Sequence, residues 1–126
     1  MKIKIVIWSP TKNYSVYADE STNEFTFGLQ NKSNGTQTFV KQAIQIVKDW
    51  PDRLEDLDKL DGISYKIAYE DENGARQLIG SNKVPENFST LMYLLQKNEP
   101  NNNRFLAEEE YRKRMIAESL DSLNLQ

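Results

Sequence analysis

The chain of 126 residues contains no cysteine and no histidine. Without cysteine it has no disulfide, no thiolate metal ligand, no iron–sulfur cluster and no cysteine nucleophile. Without histidine it also lacks the most frequent general base and, with cysteine gone, the most frequent zinc ligands. These absences remove the common catalytic triads, so we expect a protein that is not an enzyme and that holds neither a metal nor a cofactor.

The sequence also lacks a surplus of positive charge and a long apolar run. Its 16 Lys and Arg residues are outnumbered by 19 Asp and Glu residues, and the net charge of −3 provides no general attraction to nucleic acid or to an anionic membrane. No run approaches the roughly 18 apolar residues that a membrane-spanning helix needs. The apolar stretch at residues 3–8 is too short for a secretory signal, and no small-residue cleavage site follows it. We therefore expect a soluble, cytoplasmic protein without membrane contact.

Motifs for phosphate and calcium chemistry are missing as well. The chain has neither G-x-x-x-x-G-K-[ST] nor G-x-G-x-x-G. An EF-hand loop with Gly62 at its sixth position would place Leu57 first and Lys59 third, where oxygen ligands are required. We accordingly predict no catalytic, cofactor-binding or metal-binding residues.

The most pronounced positive signal is an amphipathic helix predicted over residues 36–50. Its apolar residues recur every three or four positions and form one continuous face. They are Phe39, Val40, Ala43, Ile44, Ile46, Val47 and Trp50. Pro51 disfavours helical geometry at the residue before it, so we expect the helix to end near Asp49. The candidates for its N-cap are Asn34, Thr36 and Thr38.

Three strands are predicted before this helix, at residues 2–8, 14–18 and 24–29. Alternating apolar and polar residues indicate half-buried strands, and the short polar segments between them indicate turns. Such strands form an antiparallel meander. The core-facing residues are expected to include Ile3, Ile5 and Ile7 in the first strand and Phe25, Phe27 and Leu29 in the third.

Two further elements are predicted between the central helix and residue 81. Residues 52–60 place leucines three positions apart, and Gly62 follows as a candidate C-terminal cap, so we expect a short second helix or helical turn. The dipeptide Asn73-Gly74 separates extended runs at 64–72 and 75–81, which is the strongest short-range signal for a β-hairpin.

The hairpin has an expected register. A type I′ turn at Asn73 and Gly74 would pair Asp71 with Arg76 as an exposed ion pair. The residues expected to share the core face of the hairpin are Ile67, Tyr69 and Leu78.

The chain after the hairpin predicts two more helices. The first helix is predicted at residues 86–97, directly after Pro85. Its apolar stripe includes Phe88 and Leu91. An Asn-rich linker follows at 99–103. Residues 104–126 then contain three acid-before-base pairs at i,i+4 spacing, which favour a helix.

Together these elements predict an α+β fold with the order βββα(α)ββαα. We expect an antiparallel sheet of about five strands, made of a three-strand meander and a hairpin, with two helices on one face. The predicted organisation is a core domain at 1–98, the linker at 99–103 and a C-terminal amphipathic helix at 104–126. That helix either completes the core or docks on another chain.

The sequence favours a non-enzymatic protein-interaction or regulatory module. The C-terminal stretch carries an apolar stripe at helical spacing that could bind a protein partner or a second copy of the chain. The candidate partner-binding residues are Phe105, Met115, Ile116, Leu120 and Leu123. The abundance of Asn, Lys and Ile is typical of AT-rich bacterial or phage genomes, and it suggests an origin in a phage or mobile element.

Two alternatives remain open at this point. A nucleic-acid-binding module would use a basic edge formed by Lys2 and Lys4, or the aromatics Phe25 and Phe27 on the sheet, although the net charge argues against it. A small-molecule-binding domain would need an apolar cleft with convergent polar groups. The burial of the sheet aromatics distinguishes these hypotheses from binding through the C-terminal helix. Exposed aromatics on a concave face would indicate that the sheet binds the ligand.

Overall fold

The computed structural model describes residues 1–32, 34–56, 58 and 62–99. Within them the chain forms seven strands and two helices, which confirms the α+β composition. The strands are β1 (Lys2–Trp8), β2 (Asn13–Asp19), β3 (Glu24–Phe27), β4 (Gln30–Asn31), β5 (Arg53–Glu55), β6 (Ser64–Asp71) and β7 (Gly74–Ser81). The helices are α1 (Thr36–Val47), between β4 and β5, and α2 (Phe88–Asn98), after β7.

All described strands join one sheet in the order β4-β3-β2-β1-β6-β7-β5. The predicted meander is β1–β3 and the predicted hairpin is β6–β7, and β1 joins them by pairing with both β2 and β6. The expectation of about five antiparallel strands is wrong in two respects. β4 and β5 extend the two edges of the sheet, and β5 runs parallel to β7.

The core lies between one face of the sheet and the two helices. Ile3, Ile5 and Ile7 are at most 1% exposed, as the alternation in β1 predicts. Phe39 of α1 packs against Phe25, with ring centroids 4.6 Å apart. At the other side of β1, Tyr65 of β6 contacts both Trp50 and Phe88 of α2. The apolar stripe predicted for the central helix therefore belongs to the core.

Helix α1 starts and ends close to its predicted bounds, but its N-cap differs. The N-cap is Gly35, and no side chain makes a capping hydrogen bond there. The prediction that Asn34, Thr36 or Thr38 caps the helix is therefore wrong. Thr36 is instead buried inside the first turn.

The predicted second helix at 52–60 is wrong over its first residues, because Arg53–Glu55 form β5. On the edge of β7 that does not pair with β6, backbone N–H and C=O groups need hydrogen-bond partners. The segment after Pro51 supplies these partners. Ile79 N–H donates to Asp52 O at 2.9 Å, and Asp56 N–H donates to Ser81 O at 3.0 Å. The predicted cap, Gly62, packs against Asn82 with a φ outside the left-handed region.

The hairpin forms, but its register is two residues away from the predicted one. Tyr69 lies opposite Arg76, and Asp71 lies opposite Gly74. The loop is thus Glu72-Asn73, and neither residue has a positive φ, which excludes a type I′ turn. The Asp71 carboxylate accepts the Asn73 N–H at 2.9 Å and stabilises this turn. A shift of two residues keeps every side chain on its face, so the predicted core residues of the hairpin remain correct.

The third predicted strand ends two residues early. β3 stops at Phe27 because Gly28 has a φ of 60°, which breaks the extended backbone. Leu29 is consequently fully exposed, and its assignment to the core face is wrong. Phe25 and Phe27 are buried as predicted.

Two side-chain hydrogen bonds attach the C-terminal end of helix α2 to the rest of the fold. Tyr14 OH donates to Glu99 Oε2 at 2.8 Å, and Lys32 Nζ donates to Asn98 Oδ1 at 2.8 Å. No helix within the described part of the chain is long and apolar enough to cross a membrane. The predicted helix at 104–126, and all of the predicted linker except Glu99, lie outside the described residues.

Candidate functional site

The face of the sheet opposite α1 and α2 is covered by no helix of the described residues, and we call it the open face. Because side chains alternate along a strand, the β1 residues that lie between the buried isoleucines belong to the open face. Their cross-strand neighbours belong to it as well. The registers place these residues in two central rows. One row comprises Thr26, Tyr17, Lys4, Ala68 and Gln77, and the other comprises Ser15, Val6, Lys66, Ile79 and Arg53.

A shallow depression of about 430 Å³ lies at one end of the open face. Ala68 and Ala75 are the shortest side chains that line it. The open-face side chains at its rim are Lys2, Lys4, Tyr17, Glu70 and Gln77. Its size and mixed lining suit one or two side chains of a bound protein.

The apolar groups of the open face lie beside this depression. Val6 and Ile79 are half-buried in the same row, one on each side of Lys66. Trp8 lies two residues after Val6 on the same face of β1 and is 38% exposed. The face thus combines apolar area, which a partner can bury, with ammonium groups, which can pair with carboxylates of a partner.

Charge is not evenly spread over the open face. The central rows carry Lys4 and Lys66 and no acidic residue. The next row outward pairs Lys2 with Asp19 on one side and with Glu70 on the other. Hydrogen bonds from Ser21, at 2.7 Å from the hydroxyl and 2.9 Å from the backbone N–H, hold the pKa of Asp19 below its usual value, so it stays ionised.

The structure changes the meaning of several residues considered for nucleic acid. Lys2 and Lys4 do not form a sheet edge, because β1 is the central strand. Phe25 and Phe27 are buried against α1 and cannot stack on bases without opening the core. The other aromatics divide between the two sides of the sheet. Tyr14, Tyr65 and Tyr69 are buried, whereas Tyr17 and Trp8 lie on the open face.

The sequence also contains a Ser9-x-x-Lys12 spacing, which in some enzymes marks a nucleophile and its base. Here the two residues face each other across the β1–β2 turn, where Ser9 N–H donates to Lys12 O at 2.8 Å. The Ser9 hydroxyl makes no hydrogen bond to Lys12. The pair therefore serves the turn in this structure and has no catalytic geometry.

A second surface lies on the far side of the helices, and we call it the helix groove. It has a volume of about 550 Å³ and is lined by four residues of each helix. They are Lys41, Gln42, Gln45 and Ile46 of α1 and Thr90, Tyr93, Leu94 and Lys97 of α2. Tyr93 is 69% exposed there, which is unusual for a large aromatic side chain.

Several side-chain hydrogen bonds tie the end of α1 to neighbouring elements. Trp50 Nε1 donates to the side-chain oxygen of Asn87, and Asn87 Nδ2 donates to Ile46 O at 3.2 Å, which joins the end of α1 to the start of α2. Arg76 donates to Lys48 O at 2.6 Å and to Trp50 O, so it caps the C-terminal end of α1.

The Tyr65 hydroxyl is buried and makes no hydrogen bond to the described residues. Burial raises its pKa to about 12. The Tyr65 ring packs against Trp50, Phe88 and Gly80, so the hydroxyl faces the core and is not part of a surface site.

Some sequence-based predictions concern residues that the structure does not describe. The candidate partner-binding residues Phe105, Met115, Ile116, Leu120 and Leu123 all lie outside the described residues. Among the described residues, no group of three acidic, His or Cys side chains could hold a metal ion. The sequence did not indicate the open face as a site, because that requires the order of the strands.

Comparisons with known proteins add no relative to this geometry. No protein-family model matches the chain, and no curated protein or solved structure matches it at a significant level. The functional argument therefore depends on the surfaces described above.

Proposed function

We propose that this protein is a non-catalytic protein-interaction module that binds its partner on the open face. One observation carries the proposal: half-buried Val6 and Ile79, exposed Trp8 and the lysines of the central rows share one broad surface that no described helix covers. The other side chains of this face are mainly polar, as on a solvated sheet surface, so Val6, Ile79 and Trp8 mark the part of it where a partner would bury apolar area.

The chemistry of the open face specifies the chemistry of the partner. Apolar side chains of the partner would cover Val6, Ile79 and Trp8, and one of them would enter the depression above Ala68. Carboxylates of the partner would pair with Lys4 and Lys66, which have no acidic neighbour in their rows. The partner is therefore a protein with an apolar patch flanked by acidic groups.

A protein accounts for the open face better than a nucleic acid does. The face carries four basic side chains and four acidic ones, so it has no net positive charge. The basic residues are Lys2, Lys4, Lys66 and Arg53, and the acidic residues are Asp19, Glu24, Glu70 and Glu55. A phosphate backbone crossing the face would meet the outer carboxylates and lose much of its attraction.

The absence of catalysis is part of the proposal and rests on composition. The chain has no histidine and no cysteine, so an active site would need Lys, Tyr, Asp or Glu as its acid and base. The most perturbed tyrosines, Tyr14 and Tyr65, have their pKa raised by burial and lie on the core side of the sheet.

Site-specific photocrosslinking in the native cells tests the binding surface. A benzophenone amino acid replaces Tyr17 on the open face or, as a matched control, exposed Tyr93 in the helix groove. We expect a discrete higher-mass adduct from position 17 and none from position 93. The double variant Lys4→Glu, Lys66→Glu should remove this adduct, because it repels the acidic groups of the partner.

Several outcomes would contradict the proposal. Adducts of equal strength from both positions would show contact without a specific face, and no adduct from position 17 would show that the open face binds no protein. Fluorescence anisotropy with short DNA and RNA addresses the nucleic-acid alternative. Binding at low salt that Lys4→Glu abolishes would replace the protein partner with a nucleic acid.

A further inference from the structure

The helix groove has the form of a seat for a third helix. α1 and α2 lie side by side, and each contributes one row of side chains to the groove. Half-buried Ile46 and the exposed ring of Tyr93 supply its apolar surface, and Leu94, which is 6% exposed, adds little. Two rows of side chains that lie side by side in this way can accept the apolar stripe of another helix.

The groove is basic at one end. α1 and α2 are antiparallel, because Asn87 at the start of α2 bonds to Ile46 O near the end of α1. Lys97 in the last turn of α2 therefore lies near Lys41 in the first half of α1. Both lysines line the groove, and none of its lining residues is acidic.

The chain leaves α2 at this basic end. Asn98 bonds to Lys32 and Glu99 bonds to Tyr14, each at 2.8 Å, so the exit point is held against the body of the protein. Twenty-seven residues of the sequence follow Glu99. Only the short Asn-rich stretch at 100–103 separates Glu99 from the predicted helix at 104–126.

The sequence of that segment is complementary to the groove. Helices joined by so short a connection normally pack as antiparallel neighbours. On a helical wheel Glu108 and Glu109 lie on either side of Phe105, at about 60° and 40° from it, and so share the face of the apolar stripe. An antiparallel arrangement would bring these two glutamates, early in the segment, to the basic end of the groove. The stripe would then run along the groove towards Ile46.

We propose that residues 104–126 form a third helix that lies in the helix groove of the same chain, antiparallel to α2. Glu108 and Glu109 pair with Lys97 and Lys41, and Phe105, Met115 and Ile116 cover Tyr93, Leu94 and Ile46. The same chain is favoured over a second copy because the short linker gives the segment a high effective concentration at its own groove. This inference does not depend on the proposed function, since the helix groove and the open face lie on opposite sides of the sheet.

Paramagnetic relaxation in NMR spectra tests the docking on the full chain. The absence of native cysteine allows a nitroxide to be attached at a single site. Gln42→Cys places it in the helix groove, and Gln77→Cys, also an exposed glutamine, places it on the open face. We expect the label at position 42 to broaden the amide signals of residues 105–116 and the label at position 77 to leave them sharp.

A mixing experiment separates the same chain from a second copy. Isotope-labelled protein without nitroxide is mixed with unlabelled protein that carries nitroxide at position 42. We expect no broadening of residues 105–116 in the mixture. Broadening there would show that a second copy donates the segment and would overturn the proposal. Broadening from position 77, or from neither position, would equally overturn it.

A charge exchange tests the pairing of lysines and glutamates. Lys41→Glu with Lys97→Glu should lower the ratio of docked to undocked segment about fivefold, the effect of losing two exposed ion pairs. Adding Glu108→Lys and Glu109→Lys should restore the broadening from position 42. If the fourfold variant broadens no more than the double variant, the assigned pairing is wrong.

Discussion

Among the five glycines, Gly80 is the one whose surroundings leave least room for a side chain. It lies directly opposite Tyr65 in the β6–β7 hairpin. A Cβ at this position would lie 2.0 Å from Cε1 of the Tyr65 ring. The glycine is thus required by the packing of its neighbour, and nothing in the local sequence of β7 indicates this.

We expect Gly80→Ala to lower the free energy of unfolding by about 1–3 kcal/mol, because the ring must move within a packed core. Urea denaturation measures this change. In a Tyr65→Val background the added cost of Gly80→Ala should fall, because the colliding ring is gone. Equal costs in the two backgrounds would show that the ring is not the cause.

A second prediction concerns the Tyr65 hydroxyl, which is buried and has no hydrogen-bond partner among the described residues. We expect Tyr65→Phe to leave the stability at pH 7 unchanged or to raise it by up to about 1 kcal/mol, because no protein hydrogen bond is lost. Tyr93→Phe, at an exposed position, is the control and should change little. A loss above about 1 kcal/mol in Tyr65→Phe alone would contradict this account of the hydroxyl.

The free energy of unfolding at alkaline pH should also depend on Tyr65. The pKa of Tyr65 is about 12 in the folded protein, against 10.0 for an ordinary tyrosine. Above pH 10 the unfolded state therefore binds fewer protons than the folded state, and the free energy of unfolding falls by up to about 1.4 kcal/mol per pH unit. Urea titrations between pH 10 and 12 should show a shallower decline in Tyr65→Phe than in the wild type.

At the scale of elements, one side chain joins the end of α1 to the edge of the sheet. Arg76 of β7 donates to two backbone carbonyls after α1, and its Nε donates to Asp52 Oδ1 at 2.8 Å. These carbonyls lie where a helix has no partners of its own, and a cation there also interacts favourably with the helix dipole. The contact replaces the Asp71–Arg76 ion pair expected from the hairpin sequence.

We expect Arg76→Ala to lower the free energy of unfolding by about 1–2 kcal/mol, because several hydrogen bonds from a charged group are lost. Arg76→Lys should recover only part, since an ammonium group cannot reach all three acceptors in the same geometry. The matched control is Arg53→Ala, which breaks an exposed pair with Glu55 and should cost less than about 0.5 kcal/mol. Equal losses at positions 76 and 53 in urea titrations would exclude the capping role.

The elements also show where sequence reasoning fails. The leucine spacing after Pro51 resembles a helix, but residues 53–55 complete the backbone hydrogen bonds of β7, and a strand forms instead. Asn73-Gly74 correctly predicts a hairpin. Its register follows from the Asp71 side chain, which bonds to Asn73 N–H and selects a turn one residue earlier. Local patterns could not show either result, because each depends on a particular hydrogen-bond partner.

At the scale of the whole molecule, the sheet separates two surfaces of different character. The open face has balanced charge, whereas the helix groove is basic at one end. The proposed partner binds the first, and the proposed C-terminal helix occupies the second. Substitutions at Lys4 and Lys66 should therefore leave the docking of the C-terminal segment unchanged, and those at Lys41 and Lys97 should leave partner crosslinking unchanged.

The sequence by itself determined most of the side chains that enter the core, with Leu29 as an exception, and that strands and helices would combine in an α+β fold. Alternation in the strands and spacing of three or four in α1 and α2 are local properties, so Ile5, Phe39 and Leu91 are buried as predicted. Only the tertiary structure decided that β1 is central and that its lysines lie on the open face. Strand order depends on which distant edges pair, and backbone hydrogen bonds carry no sequence signature of their partner.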